Sequence, residues 1–213
     1  MAKKEFLDEK IIELLDQVEH YAGVAPESEQ QEGIGTTEQS LESSFVIKGT
    51  KVEFERKIMI DDKLTIMLPT DFTEMDTEFA KLKYPSEGRP QIIFTDPSGG
   101  VNFWVTLTQE PLLEKGIEDT LGQMFGLIRR LNPGIKPQQS GVEQVASKTV
   151  AYIEYSNPAI EGKVYNLMFL FSINEKMAIA CFNCSTKEAK YWRRPMLEML
   201  KSMEFTIDGK ESN

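Results

Sequence analysis

Residues 164–173 are apolar on both of their alternating sets: Tyr165, Leu167, Phe169, Phe171 and Ile173 fall on one side of an extended chain, with Val164, Met168 and Leu170 on the other. Successive side chains of a strand point to opposite faces, so such a strand is stable only where both faces are covered. Residues 177–182 repeat the pattern. The chain must therefore build a sheet with a packed layer on each side.

Two segments are suited to form these layers. Between residues 116 and 131, Ile117, Leu121, Met124, Phe125, Ile128 and Leu131 recur at helical spacing, and Asn132, Pro133 and Gly134 stop the run. Ser185 and Glu188 have the spacing of a capping box and open a second helix through Trp192, Met196, Leu200 and Met203, which Pro195 is expected to kink or split. Residues 52–60 and 64–68 flank the turn residues Asp61, Asp62 and Lys63, and residues 91–95 and 101–108 flank a turn at 96–100, so two hairpins are expected. Met75, Phe79 and Leu82 lie at helical spacing and fit a short helix or turn that ends at Tyr84 and Pro85. Two β-rich stretches, 141–155 and 163–183, are separated by Asn157 and Pro158.

This order reads as an α+β fold, a mainly antiparallel sheet sandwiched by helices (α/β/α). It occupies residues 44–207, preceded at 1–43 by an N-terminal helix and a flexible acidic linker and followed at 208–213 by a disordered tail. Leu7, Ile11, Leu14 and Val18 form the apolar stripe of that first helix and suit a homodimer contact, or docking on the domain or on a partner. Residues 22–43 hold five Glu and no Lys or Arg, with too few apolar side chains to offset their ordering entropy.

Charge and composition exclude several functions. Of the net charge of −10, residues 1–43 carry −8, from three Lys/Arg and eleven Asp/Glu, and the rest is nearly neutral. No basic stripe exists to neutralise phosphates, so nucleic acid is not an expected partner. No run approaches the ~18 apolar residues of a membrane span, and the first residues place acids where a secretory signal needs an apolar run, so the cytoplasm is the expected compartment. His20 is the single histidine, Cys181 and Cys184 are the two cysteines, and no phosphate loop or dinucleotide fingerprint is present. No catalytic residue, cofactor or metal ligand set is expected.

What remains are candidate contact residues. Trp104 shares a strand face with the polar Asn102, Thr106 and Thr108, which fits either a binding face or cover by a helix. Arg193 and Arg194, with Lys187, Lys190 and Lys201, offer a docking patch for an acidic partner, although a solvated helix face is the plainer reading. Cys181 and Cys184 point to opposite faces if their strand continues, which favours a structural over a redox role. Gly122 and Gly126, four apart on the central helix, suggest tight packing on the sheet.

Three local signatures, KLTIMLPTDF at 63–72, VNFWVTLT at 101–108, and ACFNC at 180–184 with Trp192 and LKSMEF at 200–205, together with the order of elements, resemble the PsbP-like family. That family includes the extrinsic PsbP subunit of photosystem II, the Ran-binding import factor of yeast, and the bacterial DcrB-like and Eag-type proteins. The resemblance covers residues 52–207. It implies an antiparallel sheet sandwiched by helices and non-catalytic work on another polypeptide, as a bacterial adaptor, assembly factor or chaperone. A small-molecule or metal-binding domain, or a degenerate enzyme, is the alternative class.

Overall fold

The computed structural model describes residues 44–159 and 162–206. The expected N-terminal helix with Leu7, Ile11, Leu14 and Val18, the acidic linker and the C-terminal tail lie outside the described residues. In chain order the strands are β1 (Phe45–Ile47), β2 (Thr50–Val52), β3 (Phe54–Met59), β4 (Leu64–Pro69), β5 (Thr73–Glu74), β6 (Ile92–Thr95), β7 (Val101–Pro111), β8 (Lys136–Val145), β9 (Lys148–Ala159), β10 (Gly162–Ile173), β11 (Lys176–Ser185) and β12 (Glu204–Phe205). The helices are α1 (Thr77–Lys83), α2 (Ile117–Leu131) and α3 (Thr186–Lys201).

The strands that are apolar on both sides lie in the interior of a seven-stranded antiparallel sheet of order β5-β6-β7-β11-β10-β9-β8. Alternation divides their side chains between two cores. Tyr165, Leu167, Phe169 and Phe171 of β10 join Ala178, Ala180 and Phe182 of β11 on the side covered by α3, through Trp192, Met196, Met199 and Leu200. Met168, Leu170, Met177, Ile179 and Cys181 face the side covered by α2, through Ile117, Leu121, Met124, Phe125 and Ile128. Phe103 and Phe182, neighbours on β7 and β11, bring their rings to 4.8 Å between centroids in the first core.

The cover on the α3 side is not helical alone. A three-stranded sheet, β12-β4-β3, and the hairpin β1-β2 share it, through Leu64, Ile66, Leu68 and Phe45. Ser185 caps α3 by accepting a hydrogen bond from Glu188 N at 3.2 Å, as the capping spacing predicts. Pro195 does not split the helix, which runs unbroken through it. Burial of side chains such as Trp192, Met196 and Leu200 contributes roughly 1.5–3 kcal/mol each, which outweighs the ~3 kcal/mol a helix-interior proline costs.

Two further expectations are corrected. Asn157 and Pro158 lie within β9, where Pro158 pairs with Lys163 of β10. β8 begins its pairing at Lys136 and Ser156, so the other side of Pro158 has no neighbouring strand to which an N–H is owed. The chain passes from β9 to β10 between Ala159 and Gly162, while the tight turns at Ala146–Ser147 and Asn174–Glu175, pairs of residues with φ between 46° and 65°, join β8 to β9 and β10 to β11. Gly122 and Gly126 face away from the sheet, with nothing within 4 Å of a Cβ built at either, so they do not serve its packing.

Candidate functional site

Asp76 starts α1 by accepting hydrogen bonds from Glu78 N at 2.9 Å and Phe79 N at 3.2 Å. The helix that follows is inverted. Met75, Ala80 and Tyr84 hold it to the core beneath α2, yet Lys83 is 7% exposed while Phe79 is 44% and Leu82 78% exposed. Of the three residues at helical spacing, Met75 alone is buried, and it precedes the first residue of the helix.

Lys83 is tolerated inside because its charge has oxygen partners. Nζ donates to Asn102 Oδ1 at 3.0 Å and to the carbonyl of Gly99, and Asn102 Nδ2 donates on to Asn183 Oδ1 at 3.0 Å. Burial lowers the Lys83 pKa to about 8, opposed by the charge of Asp96. Gly99 takes φ 72°, and a Cβ there would sit 3.4 Å from the Phe79 ring. The turn at residues 96–100 and α1 thus form one ledge, joined by the Lys83 amine, which also lies 5.7 Å from the Phe79 ring centroid, with Phe79 and Leu82 exposed on it. A polar row continues beneath α2, where Asn166 Nδ2 of β10 donates to Asn157 Oδ1 of β9 at 2.7 Å and Asn183 lies in register with Asn166.

The contact residues expected from the sequence separate into buried and exposed sets. Trp104 is 5% exposed and packs in the α2 core, Asn102 is fully buried, and Thr106 is buried and accepts from Gln91 N at 3.3 Å. A partner cannot reach these three; they are cover and strand bonding, and Trp104→Ala would open a cavity costing about 3–5 kcal/mol. Arg193 is drawn into the fold as well. Its Nε and Nη2 donate to Glu154 Oε2 and Oε1 at 2.6 and 2.8 Å, and Nη2 also meets Gln139. That bonding holds the guanidinium pKa above its ordinary value, against its partial burial. Arg194 alone of the pair is exposed, 5.8 Å from the Phe45 ring, while Lys190 lies over Tyr191 and Lys201 pairs with Glu198.

Cys181 and Cys184 are free thiols in opposite cores, Cys181 under α2 and Cys184 under α3. Burial pushes both pKa values up, so neither carries thiolate character at neutral pH. An open cleft of about 400 Å³ lies between Leu112, Leu113, Glu114, Lys115, Lys148, Ser172 and Glu175. Its polar groups are largely committed: Glu114 accepts from Thr149 N at 2.9 Å and pairs with Lys148 at 3.2 Å, and Ser172 Oγ donates to Leu112 O at 2.7 Å. Among the described residues no group of three or more His, Cys, Asp or Glu is placed to hold a metal, and no helix is long and apolar enough to cross a membrane.

The arrangement, a covered antiparallel sheet whose polar groups are mostly spent on its own bonding, is that of a PsbP-like fold. The solution structure of cyanobacterial PsbP (CyanoP) from Synechocystis sp. PCC 6803 superposes with a TM-score of 0.54 at 12% identity, covering 84% of this chain and 98% of that one. LpqN of Mycobacterium tuberculosis, described as involved in cell envelope biogenesis, matches with a TM-score of 0.46 at 10% identity over 75% of this chain and 94% of its own. A Bacteroides thetaiotaomicron structure gives 0.49 at 12% identity, covering 74% of this chain and 50% of its own. No protein-family model matches the sequence. No curated protein matches it either.

Proposed function

We propose that this chain is a non-catalytic binding domain that holds another polypeptide on the ledge of α1 and the 96–100 turn. The observation that carries the reading is the inversion of α1, which buries Lys83 and leaves Phe79 and Leu82 in solvent. Side chains three apart on a helix are neighbours, so the two make one apolar patch, and aromatic side chains such as Phe79 are enriched at interfaces. Lys83 and Asn102 bond the ledge to β7 and, through Asn183, to β11, so the patch is presented on a fixed base. The work of an adaptor, assembly factor or chaperone fits such a surface.

The test is the double change Phe79→Ser and Leu82→Ser. Both side chains are exposed, so the melting temperature should stay within a few degrees of the parent, whereas capture of the partner retained by the parent should fall on the order of tenfold or more. Retention of the same partner at the same affinity overturns the reading. The cleft beside Glu114 supports a second reading, small-molecule binding. A metabolite that raises the melting temperature in proportion to its concentration, and loses that effect in Ser172→Leu, would put it first.

A further inference from the structure

We infer that the outer face of α2 is a contact between two copies of this chain, running antiparallel, with Gly122 and Gly126 at the crossing and Glu118 and Asp119 of each copy against Arg129 and Arg130 of the other. All six residues are exposed, and steps of three and four residues keep them on one helix face. None of the four charged side chains forms an ion pair or side-chain hydrogen bond with another described residue. A two-fold axis passing beside residue 124 pairs 118 with 130, 119 with 129 and 122 with 126 in the second copy, so a single placement satisfies every pair at once. Such self-complementarity is the condition for a closed two-fold interface.

Acids early in a helix and arginines late also suit its dipole, which accounts for the charges with no second copy. It does not account for the glycines. Glycine is the least favourable ordinary residue in a helix interior apart from proline, and at both positions a Cβ would meet nothing within 4 Å, so no contact among the described residues asks for it. A second helix approaching more closely than the usual ~8–10 Å between axes does ask for it. The facing carboxylates and guanidinia then lie about 7–9 Å along the axis from the crossing, clear of the backbone contact. One helix face is smaller than the ~1,200 Å² of a stable interface, so the association is weak and weakens further with salt.

Sedimentation equilibrium of the full chain, at up to about 1 mM and low ionic strength, reads it directly. The parent should associate, and Arg129→Glu with Arg130→Glu should be monomeric, as should Glu118→Arg with Asp119→Arg. An equimolar mixture of the two variants should associate again, because each now faces the opposite charge; this recovery also shows that both variants are folded. A parent that stays monomeric overturns the inference. So does association that persists unchanged in either charge-reversed variant, which would locate the contact elsewhere.

Discussion

Arg193 and Glu154 join α3 to β9 through two hydrogen bonds of 2.6 and 2.8 Å, the carboxylate fully buried and the guanidinium half in solvent. Tyr165 Oη donates a third, at 2.9 Å, to the same carboxylate. The geometry is the bidentate one that favours arginine over lysine.

Removing the arginine leaves a buried carboxylate with one neutral donor. Arg193→Ala should therefore lower stability by on the order of 2–3 kcal/mol, less than the ~3–5 of a fully buried pair because Arg193 is itself partly hydrated. Glu154→Gln in the Arg193→Ala background should recover part of the loss, since no buried charge then remains. Denaturant midpoints of the two singles and the double measure the coupling, and additive effects would contradict it. Loss of partner binding in Arg193→Ala would report damage to the fold and not a lost contact.

Lys83 makes stability depend on alkaline pH with a definite sign. Its folded pKa, about 8, lies below the unfolded 10.5, so between those values the unfolded chain holds the extra proton. Unfolding free energy should then rise with pH through that window, by on the order of 3 kcal/mol, and be flat in this respect below pH ~8. Lys83→Met should abolish the rise. A parent curve that falls from pH 8 to 10 with the same shape in Lys83→Met would refute the assignment.

The two thiols should be silent until the protein opens. Because burial raises both pKa values and each thiol sits within a packed core, a disulfide reagent should react with neither in the native state at rates beyond ~10⁻³ of an exposed thiol. Both should react fully in ~6 M guanidinium, where the cores are dissolved. Fast labelling of either residue in the native protein would revive a redox role for the pair.

Gly122→Ala and Gly126→Ala should each stabilise the dilute monomer by about 0.5–1 kcal/mol, since a methyl group at either position meets open space and alanine favours the helix. At high concentration the same changes should weaken self-association, because the methyl groups then stand between the two helices. Opposite signs for folding and assembly are the signature to look for in thermal melts and sedimentation.

The two-sided sheet was legible because its evidence is local: alternation within residues 164–173 and 177–182 already states that both faces are buried. The helix over 117–131 and the cap at Ser185 were legible for the same reason. The turns at Ala146–Ser147 and Asn174–Glu175 were not, because their positive φ values are borne by residues with little intrinsic preference for them, apart from Asn174, and are imposed by strand pairing on both sides. The polar neighbours Asn102 and Thr106 left Trp104 open to a binding face or to cover by a helix; what decides for cover is that their partners, Asn183, Lys83 and Gln91, come from β11, from α1 and from the residue before β6. The inversion of α1 was hidden likewise, as nothing in the spacing of Phe79, Leu82 and Lys83 says that the oxygens of Asn102 and Gly99 will be waiting for the amine.

Because neighbouring side chains along β10 and β11 serve different cores, the length of these strands is not free to drift. One residue inserted near the middle of β10 would send Phe169 and Phe171 to the α2 side and Leu170 to the α3 side, exchanging bulky and slender contents in both layers simultaneously. Evolution can lengthen the loops of such a protein, or its outermost strands, while its central ribbon keeps time like a two-stroke mechanism in which a single missed beat stops both cylinders.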